Sequence, residues 1–93
     1  MNHSDQWDEF TMLMIRMNTK FRELRNMKDM YILNGIYLNK KFDDSNNELQ
    51  VIILSYTDHN HKIHDEELVS TSDKILAVEL LTYAYRKYMW NWA

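Results

Sequence analysis

The spacing of apolar residues predicts a long amphipathic helix near the start of the chain, from about residue 5 to residue 28. Ser4 is a favourable N-cap, and the acidic residues that follow it complement the positive end of a helix. Apolar side chains then recur at intervals of three, four and seven residues, which places them along one helix face. These residues are Phe10, Leu13, Met14, Met17, Phe21, Leu24, Met27 and Tyr31.

The middle of the chain follows a different pattern, which is typical of antiparallel strands. Asn34 and the only glycine, Gly35, lie between two apolar runs, and Asn-Gly is the pair most typical of a type I′ hairpin turn. Apolar and polar residues then alternate as far as Phe42, and a polar cluster separates them from a second apolar segment. The pattern predicts a three-stranded meander with strands near 30–33, 36–42 and 49–57.

The last third of the chain ends in a second predicted helix. Residues 62–69 fit either a further strand or a turn followed by a helical start, and the pattern leaves both open. Ser70 and Asp73 approximate a capping box for a helix from about residue 73 to residue 91. One side of this helix carries Val78, Leu81, Ala84, Tyr85, Tyr88 and Trp92, another carries Leu76, Leu80 and Tyr83, and a narrow polar stripe carries Glu79, Thr82 and Arg86. We expect such a helix to be mostly buried or to bury its second side against a partner.

Together these elements predict an α+β fold of the order α-β-β-β-α, with residues 1–93 forming a single domain. The alternative is an all-α helical bundle, which the Asn-Gly pair disfavours. An apolar fraction of 45% and twelve aromatic residues support a packed core. The absence of cysteine excludes disulfides and thiolate metal sites. The longest apolar run, 51–54, is too short to cross a bilayer, and no signal peptide is recognisable, so we expect a cytoplasmic protein.

The predicted order of elements resembles that of the double-stranded RNA-binding domain. That family carries a lysine-rich motif at the start of its last helix, where this chain has Ser70-Thr71-Ser72-Asp73-Lys74. It also carries a Gly-Pro loop, which a chain without proline does not have. The resemblance is therefore one of topology, and we transfer neither site residues nor function from it.

A basic segment of the first helix offers a candidate nucleic-acid or phosphate-binding surface. Residues 1–42 carry seven basic and five acidic side chains, a net charge of +2, whereas residues 43–93 have a net charge of −5. The basic residues could contact phosphates, or they could form a solvated face that pairs with the acidic half. We favour the solvated face because acidic residues occupy the start of the same helix. The candidate residues are Arg16, Lys20, Arg22, Arg25 and Lys28.

A histidine cluster offers a weaker candidate, a metal site. His59, His61 and His64 fall within six residues, and Asp65 adds a carboxylate that could complete a coordination sphere. On this hypothesis the protein would be a small metal-dependent hydrolase. The spacing matches no established zinc pattern, and a polar turn at the surface is the simpler interpretation.

The aromatic residues near the carboxyl terminus offer a candidate protein-binding surface. Tryptophan and tyrosine are the residue types most often found at binding hot spots, and a patch can also meet its own copy across a two-fold axis. We expect contact residues at Trp90, Trp92, Tyr88 and Tyr85, with charges at Glu79 and Arg86 on the rim. An acidic segment, Asp65, Glu66 and Glu67, is a candidate second contact with a basic partner.

The signals that the sequence lacks favour a binding protein over an enzyme. It contains no glycine-rich phosphate loop, no Ser/His/Asp spacing and no paired-carboxylate motif, so we expect neither catalysis nor a cofactor. Nine asparagines and few glycine, alanine or proline residues are typical of AT-rich genes, which are common in mobile elements. The sequence thus predicts a homo-oligomeric, phage-like accessory or inhibitor protein that modulates its host by docking on a host protein.

Overall fold

A computed structural model describes residues 4–27 and 30–89 of the chain, and it has the predicted α+β architecture. The elements are α1 (Ser4–Met27), β1 (Met30–Phe42), β2 (Glu48–Asp58), β3 (Ile63–Thr71) and α2 (Lys74–Ala84), which continues as a π-helical turn (Tyr85–Met89). The order α-β-β-β-α is confirmed, and the alternative of an all-α bundle is wrong. Residues 62–69, which the sequence left open, lie almost entirely within β3.

The three strands form one antiparallel sheet in the order β1-β2-β3, so β2 lies in the centre. This explains why β2 is apolar on both faces. Ile52 and Leu54 point toward the helices, while Val51 lies on the opposite face and is also buried. The two hairpins each require only a short connection, as expected for an antiparallel meander.

The hairpin turn predicted at Asn34 and Gly35 is wrong, because both residues lie inside the continuous strand β1. Gly35 does not have the positive φ that a type I′ turn requires. Leu33 pairs with Tyr56 and Gly35 with Ser55, so Asn34 is the extra residue of a β-bulge. The predicted strands 30–33 and 36–42 are therefore a single strand, and β3 completes the sheet.

The actual reversals of the chain are two turns of the same design, each organised by an aspartate at its first position. In the first turn the Asp43 carboxylate accepts hydrogen bonds from the backbone amides of Ser45 and Asn47, and Asn46 adopts a left-handed conformation with φ of 65°. In the second, Asp58 accepts from the amides of Asn60 and Lys62, and His61 has φ of 67°. Aspartate in this role acts as an Asx-turn residue and fixes where each strand ends.

Both helices pack on the same face of the sheet, where the hydrophobic core lies. The core combines Leu13, Met17, Phe21 and Leu24 of α1, Leu33 and Ile36 of β1, Ile52, Leu54 and Tyr56 of β2, Leu68 of β3, and Leu76, Leu80, Ala84 and Tyr88 of the last helical segment. Neither of the two described helices covers the opposite face of the sheet, which exposes Ile32, Tyr37 and Ile63. The molecule is therefore a two-layer structure with one open sheet face.

Helix α2 begins at a cap that differs from the predicted capping box. The side chain of Asp73 itself is the N-cap, and its Oδ1 accepts hydrogen bonds of 3.0 Å from the backbone amides of Ile75 and Leu76. The Asp73 amide in turn donates to the Thr71 hydroxyl at 3.1 Å. This chain of bonds fixes how α2 leaves the end of β3 and therefore which of its faces meets the sheet.

Candidate functional site

The aromatic residues predicted as a contact surface divide between the core and the surface. Tyr88 is only 2% exposed, and its ring stacks on Phe21 with 4.0 Å between ring centroids. Its hydroxyl donates a hydrogen bond to Oδ1 of Asn18, and Nδ2 of Asn18 donates one to the Tyr83 hydroxyl. Burial raises the pKa of Tyr88. Tyr88 therefore joins α1 to the last helical segment, and its inclusion in the contact surface is corrected.

Tyr85, three residues earlier in this helical segment, is 48% exposed. Trp90 and Trp92, the other predicted aromatic contacts, lie outside the described residues, and their role stays a prediction. The part of the contact surface that can be placed is therefore Tyr85 together with its neighbours on α2.

Three exposed residues of α2 and the first residue of the π-helical turn form what we call the outward stripe: Ile75, Val78, Thr82 and Tyr85. Ile75 is 75% exposed and Val78 is 54% exposed. At about 100° per residue, the stripe lies opposite the buried Leu80 and Ala84. The sequence grouped Val78 and Tyr85 on one side of this helix with Ala84 and Tyr88, but Ala84 and Tyr88 are buried whereas Val78 and Tyr85 are exposed.

Thr82 continues the apolar character of the stripe despite its hydroxyl. That hydroxyl donates a hydrogen bond of 2.9 Å to the backbone carbonyl of Val78, four residues earlier in the helix. Its hydrogen-bonding proton is thus used within the helix itself. The stripe therefore offers an apolar surface over about three helical turns.

Open grooves lie on both sides of the ridge that Thr82 and Arg86 form. One groove has a volume of about 360 Å³ and is lined by Ile36, Leu81, Thr82, Tyr85 and Arg86. The other has a volume of about 440 Å³ and is lined by Glu79, Thr82, Tyr83, Arg86 and Lys87. The first groove is lined mainly by apolar residues, and the second carries one acidic and two basic residues.

Glu79 and Arg86 follow one flank of the outward stripe. They lie seven residues apart, which is about two helical turns, so both side chains point in nearly the same direction. Both are exposed. Within residues 4–27 and 30–89 neither takes part in an ion pair. They are therefore free to pair with charges that another molecule brings to the stripe.

The acidic segment predicted as a second contact lies on β3, an edge strand of the sheet. Because side chains alternate along a strand, Asp65 and Glu67 share one face and Glu66 points to the other. Glu67 also forms an ion pair of 3.1 Å with Lys41. The three acids consequently do not form one continuous acidic patch.

The histidine cluster does not converge into a metal site. The Nε2 atom of His64 lies 2.8 Å from Oδ2 of Asp58, and its ring stacks on Tyr56. Asp65 follows His64 on the strand and points to the opposite face of the sheet. The ring of His59 packs against Tyr31 instead. Across the part of the chain that the structure describes, no three His, Asp or Glu side chains are grouped as metal ligands would be.

The basic residues of α1 do not form one ridge. Arg16 and Lys20 lie on one flank of the core-facing stripe, whereas Arg22 and Arg25 lie on the other, at least about 120° away around the helix. The guanidinium of Arg25 lies 5.9 Å from the centroid of the Phe21 ring, which places it beside the core. Lys28 lies outside the described residues. This separation disfavours the nucleic-acid alternative, which needs a continuous basic surface.

Sequence reasoning missed Ile75 and Val78, the two most exposed aliphatic residues of α2. The signal was present as apolar residues spaced three and four apart, opposite a second set with the same spacing. A helix that is apolar on both sides does not reveal which side faces the core.

We compared the chain with models of protein families, with curated proteins and with solved structures, and no match was found. Among the described residues, no helix is both long enough and apolar enough to span a membrane.

Proposed function

We propose that this chain is a small non-enzymatic interaction module that docks on another protein through the outward stripe of α2. The observation that carries the proposal is the exposure of Ile75, Val78 and Tyr85 on a helix whose opposite face is fully used by the core. Exposed apolar residues that form a contiguous patch are typical of protein-binding surfaces.

The energetics of burial support this proposal. Removing one isoleucine or valine side chain from water contributes roughly 1.5–3 kcal/mol, so two of them with Tyr85 suffice for an interaction centre. Glu79 and Arg86 border the stripe and supply the polar rim that such interfaces carry. We propose Trp90 and Trp92, which lie outside the described residues, as further contact residues of the same surface.

The biological setting is the second part of the proposal. It is supported by composition, because nine asparagines and a near absence of glycine and proline are typical of AT-rich genes, which are common in mobile elements and their low-GC hosts. On this view the protein is a phage-like accessory or inhibitor that modulates a host protein by occupying one of its surfaces.

The proposal is tested by binding with two matched variants. Ile75→Asp places a charge in the stripe, and Ile63→Asp places one at a similarly exposed isoleucine on the open sheet face, where Ile63 is 65% exposed. Proteins captured from cells of the source organism are purified, and their affinities for both variants are measured. We expect Ile75→Asp to weaken binding by about tenfold or more while Ile63→Asp binds as the parent does. Equal affinities for the two variants would exclude the stripe.

A further inference from the structure

We propose that the outward stripe pairs two copies of this chain as antiparallel helices related by a two-fold axis. The inference rests on the proposed function, because it concerns the same face: a second copy occupies the stripe when no host protein is bound there. Two features of α2 lead to it, namely the spacing of the stripe and the placement of the charges beside it.

The spacing of the stripe is that of a helix-to-helix seam. Ile75, Val78, Thr82 and Tyr85 follow one another at intervals of three, four and three residues. These intervals correspond to the a and d positions of a heptad, which face a second helix when two helices pack side by side. A seam of this kind on the surface lacks the helix that it is spaced to meet.

The charges beside the seam are arranged to complement themselves. Glu79 and Arg86 lie on the same flank, have opposite signs and are symmetric about a point between residues 82 and 83. In an antiparallel pair with a two-fold axis at that point, the same flank of each helix meets its equivalent. Glu79 then lies beside Arg86 of the second copy, and Arg86 beside its Glu79, so one contact occurs twice.

A parallel pair would use only one of these two charges. Glu79 would then face Lys74 of the second copy, which lies 3.6 Å from Glu48 of its own chain, and Arg86 would face Leu81. The antiparallel arrangement also places Tyr85 beside Thr82 of the second copy. The groove of about 360 Å³ next to Thr82 provides room for the tyrosine ring there.

The size of this seam sets the expected strength of association. A contact formed by α2 and the following turn alone is small for a protein interface, and small interfaces are typical of weak, reversible association. We therefore expect a dimer with a Kd of about 1–100 μM, which dissociates below that range of concentrations.

Charge reversal tests the arrangement by sedimentation equilibrium of the full chain. In Glu79→Arg both contacts bring two arginines together, and in Arg86→Glu both bring two glutamates together. Each variant alone is expected to have a dimer Kd raised by about tenfold or more. An equimolar mixture of the two variants restores opposite charges in both contacts, so the mixed dimer should form with nearly the parental Kd. Both positions are exposed, and circular dichroism checks that each variant is folded.

Either of the following results would overturn the proposed dimer. A parent chain that stays monomeric up to about 1 mM has no such dimer. Single variants that dimerise like the parent, or a mixture that fails to recover, exclude the antiparallel pairing of Glu79 with Arg86. The proposed docking function is tested by a separate experiment, which compares the affinities of Ile75→Asp and Ile63→Asp for a purified partner protein.

Discussion

At the scale of single residues, Asp58 determines the shape of the turn between β2 and β3. Its carboxylate interacts with the His64 ring at 2.8 Å and accepts hydrogen bonds from the backbone amides of Lys62 and Asn60. The bond with His64, followed by that from Lys62, lowers the pKa of Asp58 to about 2 from its usual 3.8. Every one of these contacts favours the ionised carboxylate.

The lowered pKa of Asp58 predicts how acid affects the turn. Because the folded pKa is below the unfolded one, this stabilisation is fully present above about pH 4 and is lost as the pH falls through about 2. We expect Asp58→Asn to be less stable than the parent at pH 7 and the difference to shrink toward pH 2. Urea unfolding at both pH values measures it.

The first turn provides the control for that experiment. Asp43 makes the same backbone contacts, and its pKa is also lowered, chiefly by the Asn47 amide. It has no histidine partner in the described structure, so Asp43→Asn should show a smaller dependence on pH. A stability difference for Asp58→Asn that stayed constant from pH 7 to pH 2 would contradict the assigned role of the carboxylate.

At the scale of elements, Gly35 shows how a local signal can be misread. The Asn-Gly pair is typical of hairpin turns, yet here it marks a β-bulge within β1, and the Asn34 side chain bonds the Thr57 hydroxyl of β2 at 2.9 Å. Whether such a pair becomes a turn or a bulge depends on pairing with β2, which begins fourteen residues after Asn34. A local pattern does not contain that information.

A β-bulge and a type I′ turn at Gly35 lead to opposite expectations for the effect of Gly35→Val on stability. A Cβ atom added at Gly35 would meet no atom within 4 Å, and the φ of this residue is not positive. Glycine in a strand is also less favourable than a β-branched residue. We expect Gly35→Val to leave the free energy of unfolding unchanged or to raise it by up to about 1 kcal/mol. A loss of more than about 1 kcal/mol in urea unfolding would indicate a turn conformation here.

The elements that the sequence predicted well are those whose patterns are long or local. Helix α1 was expected from about residue 5 to 28 and spans Ser4–Met27, because its stripe repeats over many turns. The polar cluster at 43–47 marked a real reversal, since Asp43 and Asn46 are suited to it. Strand β3 was left open because its acidic residues obscure the alternation, and only pairing with β2 defines it.

At the scale of the whole molecule, the packing of α2 on the sheet determines which of its residues are exposed and can form the candidate site. The sequence identified Tyr85, Glu79 and Arg86 as surface residues, and all three are exposed. It also assigned Tyr88 to that surface, although Tyr88 packs between α1 and the last helical segment. The position of α1 decides this, and no pattern within α2 alone could reveal it.

The described structure exposes apolar side chains on several surfaces. They lie on the outward stripe of α2, on the open sheet face with Ile32, Tyr37 and Ile63, on α1 at Met12 and Ile15, and on β1 at Tyr31 and Phe42. The outward stripe extends over four positions beside Glu79 and Arg86, whereas on α1 the shorter pair Met12 and Ile15 is likewise bordered by opposite charges, at Arg16 and Glu23. We therefore propose that another protein molecule, either a second copy or a host protein, binds at the outward stripe.

Site-specific photocrosslinking in living cells tests that claim most directly. A photoreactive phenylalanine analogue is placed at Val78, in the stripe, or at Ile63 on the open sheet face, since both positions are exposed. Our account predicts that illumination links the chain to another protein from position 78 and gives little or no product from position 63. Products from position 63 alone, or no product from position 78, would contradict it.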